Sequence, residues 1–478
     1  MNSKLITKIS IFCFLFVLCG NTSSSRLPDN FNNCLVSLND AVSQLDDIKI
    51  TNELNFEYRI VREVTTREEC IDMVIGTNLE QGAELVNGVL VDLVVGIKQN
   101  EVTETVKETE YELYLKQLEE KNLKNINLIE SPLFGDANIE IKQSGLGVIT
   151  YIRIDNPLNF DLMFSTAEGY IYGIVDNQVK QVISISNKTI RERESGLHSF
   201  EFFSNNSKDY LLVTYSGIDN KYYFTSYLLQ DGLVNENEEI ILASFDINDN
   251  NVHFGGKILK NNQKLYLCLG DQNIPGNSAK FDNPWGKIFS IDTTDFFEDP
   301  VISIDDERVS VLAYGLRNPW SCFFQNQNMI VPDVGNSHWE ELNVLENYQT
   351  ISEPLFFGWP WLESYFDANY KNLPVSEDIK SEQVNSTVYP RYLYPHGNDY
   401  CAIIGGTYLE NSTKWDDYIF IGDFCTGTIW AVDLINQSKL IVLDKGIIPF
   451  SITTINNFGN DSLIVGTTSG DLIEVVLP

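Results

Sequence analysis

One pattern recurs through the chain: a hydrophobic strand, a short polar turn, then Gly-x-Ile or Gly-x-Leu leading into a second strand. It appears as LMFSTAEGYIYGI ending at Ile174, as the pair LYLCLGD and WGKIFSI between Leu265 and Ile291, as YIFIGDFCTGTIWAV ending at Val432, and as SLIVGTTSGDLIEVV ending at Val476. The glycines align at Gly169, Gly286, Gly427 and Gly470. A tight hairpin needs there a residue that accepts a positive φ. The alternating apolar, β-branched and aromatic residues on either side make each unit a β-hairpin. The spacing of roughly 45 to 60 residues per unit is that of a four-stranded propeller blade. YLLVTYSG to YYFTSYLL, around 211–229, and SVLAYGLRNPW to NMIVPDVG, around 310–335, fill the remaining intervals. The expectation is an all-β, six-bladed β-propeller over residues 146–478. An array of β-sandwiches competes, but such domains rarely recur at this period with a hairpin glycine in register.

Ahead of the repeats the composition changes. Lys4 and Lys8 precede an apolar stretch, Ile9 to Leu18, that ends in small and polar residues, Gly20 to Ser25. This reads as a signal peptide over residues 1–22; an uncleaved anchor is the alternative, although spanning lipid takes roughly 20 apolar residues. Export is thus expected, to the secreted, extracellular space, with no membrane span after cleavage. Acceptor sequons at Asn187, Asn205, Asn385, Asn411, Asn436 and Asn460 agree with it, and glycosylated ones should sit in surface turns. Residues 26–135 read as a small α+β N-terminal extension without a recognisable site. In it residues 100–125 are charged and rich in helix formers, and LVNGVLVDLVVGI suggests a strand pair about Asn87-Gly88.

The chain carries 67 acidic and 33 basic side chains, a formal charge of −34. That balance excludes a nucleic-acid backbone as partner. Past the signal region the cysteines are Cys34, Cys70, Cys268, Cys322, Cys401 and Cys425. An even set in an oxidising compartment reads as disulfides. Cys34 with Cys70 would staple the extension, and Cys401 with Cys425 would close a loop in the fifth blade, worth on the order of 3 kcal/mol. Cys268 and Cys322 lie in apolar strand-like runs, where buried free thiols and a third bridge are equally compatible with the sequence.

Four later stretches, AYGLRNPW from Ala313, DVGNSHWEELNV from Asp333, FGWP from Phe357 and IGGTYLEN from Ile404, stand in fixed order before YIFIGDFCTGTIWAV. Together they resemble the glucose/sorbosone dehydrogenase family, whose members include the propeller of hedgehog-interacting protein, over about residues 145–478. The resemblance implies an oxidoreductase in which pyrroloquinoline quinone lies over the central opening and hydride leaves a sugar or alcohol. In VHFGGKILKNNQKLYLCLGD it places His253 on the catalytic base, a role suited to an imidazole near its ordinary pKa of about 6.5. Arg317 and Asn318 fall on cofactor-oxygen contacts, for which a planar guanidinium fork is apt; Gln272 is a further polar neighbour. Glu341 and the Phe357 carbonyl fall on a Ca²⁺ site, with Glu340 as its partner or a solvated charge. Asp271 and Asp423, after strand-end glycines, read as turn-fixing acceptors.

The sequence departs from the active members at Leu409, Thr426 and Thr428, where they carry basic residues. A cofactor with three carboxylates would lose charge-assisted bonds worth roughly 1.5 to 3 kcal/mol each. Two readings therefore leave the sequence: a quinone-dependent dehydrogenase acting on a sugar or alcohol, and an inactive extracellular propeller that binds a ligand or a protein.

Overall fold

A computed structural model describes residues 26–98 and 129–478, except 29, 32–33, 53–56, 66, 68–69, 72, 78, 80–81, 86–89, 132–136, 206, 295–298, 301, 369, 371–372, 397–398, 410–411, 437 and 449–450. The signal region, the charged stretch 100–125, the Asn87-Gly88 turn and Asn411 lie outside the described residues. The chain divides into two units, residues 1–117 and 118–478.

In the first unit helix Leu38–Thr51 accompanies a three-stranded sheet, with Leu90–Lys98 between Glu57–Thr65 and Val74–Thr77. Leu45, Val74, Val91 and Leu93 are buried together, and Cys34 is bonded to Cys70 with a Cα–Cα distance of 4.9 Å. The unit is α+β.

The second unit is a propeller of six blades. Blade 1 comprises Ile149–Arg153, Leu162–Thr166, Tyr170–Val175 and Gln178–Ser184; blade 2 comprises Leu197–Asn205, Lys208–Gly217, Lys221–Gln230 and Leu233–Asp246. Blade 3 runs from Gly255–Asn261 through Lys264–Leu269 and Lys287–Asp292 to Val309–Tyr314, with Leu355–Phe356 added in parallel. Blade 4 uses Phe323–Gln325, Asn328–Asp333, Trp339–Leu345 and Tyr392–Pro395. Blade 5 uses Ile403–Tyr408, Ile419–Asp423, Ile429–Asp433 and Ser438–Leu443, extended by Ile129–Ser131. Blade 6 uses Ile452–Asn457, Ser462–Thr467 and Leu472–Val476, and takes its outer strand, Asn138–Gln143, from ahead of blade 1.

Two details differ from the sequence reading. SVLAY, read as the start of the fourth unit, is the outer strand of blade 3, paired with Lys287–Ile291. The sixth blade also reaches back before residue 146. Both follow from propeller closure, in which each outer strand meets its own blade while the next innermost strand starts a new one.

Apolar seams join successive blades. Met163 and Ile171 meet Phe200 and Leu211; Leu212 and Phe224 meet Leu267 and Phe289; Ile288 and Leu312 meet Met329 and Val331. Ile330 and Leu342 meet Ile419 and Ile421; Phe420 and Ile429 meet Leu463 and Ile473; Ile464 and Leu472 meet Ile149 and Phe164, which closes the ring. Strands buried on both faces explain why the repeats read as near-continuous apolar runs. Cys268 is bonded to Cys322, which ties blade 3 to the approach to blade 4, and Cys401 to Cys425, with Cα–Cα distances of 6.7 and 5.7 Å. Asn187, Asn385, Asn436 and Asn460 are exposed, whereas Asn205 is half-buried and donates its amide to the Thr293 carbonyl. No helix among the described residues is long and apolar enough to cross a membrane.

The four hairpin glycines all have positive φ, from +69° to +92°. At Gly470 an added Cβ would also stand 2.6 Å from the Leu146 nitrogen and 2.7 Å from that of Gly147. Gly145 has a similar φ, +72°, with open space about it. Gly470→Ala should therefore cost about 2–4 kcal/mol and Gly145→Ala only about 1 kcal/mol. Denaturant titration of the two variants checks this, and equal costs would mean that the close approach at the ring seam carries no strain.

Candidate functional site

In a four-stranded antiparallel blade, the turns between the second and third strands open on the same side as the connectors between blades. The connector from blade 2 to blade 3 holds His253, and that from blade 3 to blade 4 holds Arg317 and Asn318. Asp271 and Gln272 follow the second strand of blade 3. These segments meet through their main chains. The Gln272 N–H donates to the His253 carbonyl at 3.2 Å, and the Asp271 N–H to the Arg317 carbonyl at 2.7 Å. Gly270 permits the approach: a Cβ there would lie 2.3 Å from the His253 oxygen.

His253 is 7% exposed and has φ +57°, and its ring Nδ1 stands 2.7 Å from Asp271 Oδ1. With the proton on Nδ1, Asp271 fixes the tautomer and ring direction, and Nε2 is the nitrogen left to accept. Asp271 is held in turn by the Trp359 indole N–H at 2.9 Å and the Asn273 N–H at 2.7 Å. It fixes a turn and orients the histidine at once. Glu194, at the approach to blade 2, accepts from the His253 N–H at 2.8 Å and from Asn318 Nδ2 at 3.3 Å. Nothing in the run RERE distinguishes Glu194 from a solvated charge; only the docking of blade 2 against blade 3 brings it here.

Asp333, at the end of the second strand of blade 4, accepts the N–H groups of Arg317 at 2.9 Å and Asn318 at 2.6 Å. Burial nevertheless pushes its carboxyl up to about 7, against those bonds and the Arg317 charge. Arg317 is half-buried, donates Nη1 to the Val334 carbonyl at 3.0 Å and lies 5.7 Å from the Trp359 ring centre. Two buried amide oxygens beside these groups, Gln272 Oε1 and Asn318 Oδ1, have no hydrogen-bond partner. Buried polar atoms are nearly always paired, so unpaired ones in a histidine–carboxylate site suit a bound polar molecule.

The positions that depart from the active members lie differently from one another. Leu409 is fully buried in the seam of blades 5 and 6 and takes no part in the face. Thr426 donates its hydroxyl to Asp423 Oδ1 at 2.9 Å and accepts from the Thr428 hydroxyl, also at 2.9 Å. Asp423 also receives the N–H groups of Cys401 and Ala402 and the Tyr394 hydroxyl, which fixes the turn closed by Cys401–Cys425.

Glu341 is buried beside Asp333, its cross-strand partner. One of its oxygens accepts the Ser364 N–H, the other Asn343 Nδ2 at 3.3 Å. Phe357 is buried too, its N–H bonded to the Tyr314 carbonyl. Glu340 is not solvated: it takes the His396 ring, the Ile403 N–H and the Gly335 N–H, and so links blade 4 to blade 5. Among the described residues no group of three or more acidic, histidine or cysteine side chains is arranged to hold a metal. Each Glu341 oxygen already accepts a hydrogen bond from the protein, so a Ca²⁺ ion there would have to share those oxygens.

The ring, its connector-borne face and its carboxylate-held histidine define a dehydrogenase-like propeller. The chain belongs to the glucose/sorbosone dehydrogenase family, whose sequence model matches residues 157–463. Its fold is similar to that of the soluble aldose sugar dehydrogenase of Escherichia coli in its apo form, at 16% identity and a TM-score of 0.55, over 72% of this chain and 100% of that one. It is also similar to the pyrroloquinoline quinone-bound aldose sugar dehydrogenase of Streptomyces coelicolor, at 14% identity and 0.55, over 73% and 100%. A putative oxidoreductase (glucose dehydrogenase) of Thermus thermophilus aligns at 13% identity and 0.52, over 71% and 100%. No curated protein matches the sequence.

Burial, then the neighbouring Asp333, raises the Glu341 carboxyl well above the ordinary carboxylate range. A raised folded-state pKa contributes stability that is present below the unfolded value and lost as pH rises through the folded one. Glu341→Gln, permanently neutral, should therefore gain stability relative to the wild type as pH rises above about 4 to 5. Melting temperatures of both proteins from pH 5 to 8, with chelator and with Ca²⁺, check this. A Ca²⁺-dependent rise that Glu341→Gln abolishes would restore the metal site.

Proposed function

We propose that this secreted family member oxidises a sugar or alcohol, with His253 taking the hydroxyl proton. The observation that carries the reading is the 2.7 Å contact between His253 Nδ1 and Asp271, which leaves Nε2 as the ring's acceptor. Gln272 Oε1 and Asn318 Oδ1, unpaired and buried nearby, accept from other hydroxyls of a polyhydroxylated substrate or from donors of a bound cofactor.

The hydride acceptor in this reading is pyrroloquinoline quinone, which when bound supplies a two-electron acceptor for the hydride leaving the carbinol carbon. Arg317, Asn318 and Gln272 would hold it, and their unpaired amide atoms and guanidinium fit polar groups on one edge of such a molecule. Its carboxylates find less. Thr426 and Thr428 spend their hydroxyls on each other and on Asp423, and Leu409 is sealed in the core. This chain's own residues align and deprotonate the hydroxyl; Glu194 and Asp333 hold the connectors carrying His253 and Asn318 in place.

The same missing cations favour the second reading, an extracellular propeller that binds a ligand or protein without turnover. Dye reduction over a sugar and alcohol panel, with quinone added, separates the two. The oxidation reading expects turnover that His253→Gln lowers by about 10²-fold or more, with Thr426→Arg tightening quinone binding in calorimetry. No turnover at saturating quinone would leave the binding reading.

A further inference from the structure

The innermost strands leave a small axial cavity of about 30 Å³, with Tyr151 of blade 1, Glu194 and His198 at blade 2, Lys257 of blade 3, Trp320 before blade 4 and Thr453 of blade 6 in its wall. Lys257 stands out among them. It is 8% exposed, and its Nζ lies 3.6 Å from the centre of the Tyr151 ring. No described carboxylate forms an ion pair with it. The nearby Glu201 already binds Arg153 at 2.6 Å and Lys260 at 3.7 Å. The reading of the connectors as an oxidation site makes no use of this amine.

A buried ammonium faced by an aromatic ring but by no carboxylate of its own is costly, and the lysine relieves that cost by losing its proton or by capturing a ligand. Burial, reinforced by the Arg153 charge and opposed by Glu201, lowers the Lys257 ammonium to about 7. His198, 2.8 Å from the Ser216 hydroxyl, is lowered to about 3 by burial and stays neutral. An anion would meet the Glu194 carboxylate in the same wall; a neutral electrophile would not.

We infer that Lys257 is a carbonyl-capturing amine, which forms a reversible imine with a small aldehyde or hydroxy-aldehyde admitted to the axial cavity. The nitrogen lone pair adds to the carbonyl carbon to give a carbinolamine. The carbonyl oxygen then leaves as one water with the two amine protons, so amine plus aldehyde gives imine plus water and no oxidant is consumed. Tyr151 covers one side of the amine, and the threonine and indole walls exclude bulk water from the adduct.

The test treats the full-length secreted protein with glycolaldehyde and cyanoborohydride at pH 7, followed by peptide mapping. Lys257 should be alkylated at least about tenfold faster than the solvent-exposed Lys180 and Lys445, because far more of it is neutral than of a lysine at about 10.4. Its rate should level off above about pH 7 while theirs keep rising. Lys257→Arg, which keeps the charge, and Lys257→Met should each lose only this adduct. Labelling of Lys257 at or below the rate of Lys180 overturns the inference, as does protection by millimolar inorganic phosphate, which would assign the cavity to anions. None of these readouts depends on sugar oxidation, so the two proposals fail separately.

Discussion

Everything in the propeller rests on the antiparallel pairing of Asn138–Gln143 with Leu472–Val476. Five blades take their four main strands in chain order without borrowing from before the ring, and their seams bury apolar faces locally. The sixth is completed by a strand that precedes the first, so one ladder, together with the packing of Ile464 and Leu472 on Ile149 and Phe164, converts an open array into a closed ring. An open array would leave two apolar blade faces in water, and closure removes both. The approach of Gly470 to Leu146 and Gly147 lies at that junction, where any side chain would hold the backbones apart.

Blade packing also makes the site. His253, Asp271, Arg317 and Glu194 come from three connectors and one strand end; the first three meet at one edge of blade 3, and Glu194 joins them when blade 2 docks against it. Asp271 donates its own N–H to the Arg317 carbonyl and holds the His253 ring with its side chain. One residue thus couples the geometry of two connectors to the direction of one imidazole. The cis peptide before Pro360 lies next to the Trp359 indole that braces the same carboxylate.

The electrostatics are unusual for so acidic a chain. Its excess charge is spread over the surface, yet Asp333, Glu340 and Glu341 are buried around the same connectors, each raised chiefly by loss of water. Glu363 shows the opposite balance. Burial would raise it, but N–H groups of Asn336, Ser337, His338 and Trp339, at 2.8 to 3.1 Å, hold it below the ordinary range. Whether a buried carboxylate keeps its charge here is decided by how many main-chain donors reach it.

The hairpin glycines, the alternation around them and their period made the blades legible, because those features report local backbone geometry and which strand faces are buried. The motif around Arg317 and the His-x-Gly-Gly run lie on two successive connectors that the structure brings into contact with the end of one strand. The sequence alone left Cys268 and Cys322 undecided, since pairing depends on whether blades 3 and 4 bring two apolar strands within reach. It also cast Glu194 as one charge in a run, Asp271 as a turn residue only, and Leu409 as a missing cation at the face. Each of these is a statement about distance between segments remote in sequence. What a residue does locally was written in the chain; which residues meet between blades was decided by the packing of the ring, because only then do connectors remote in sequence share one face.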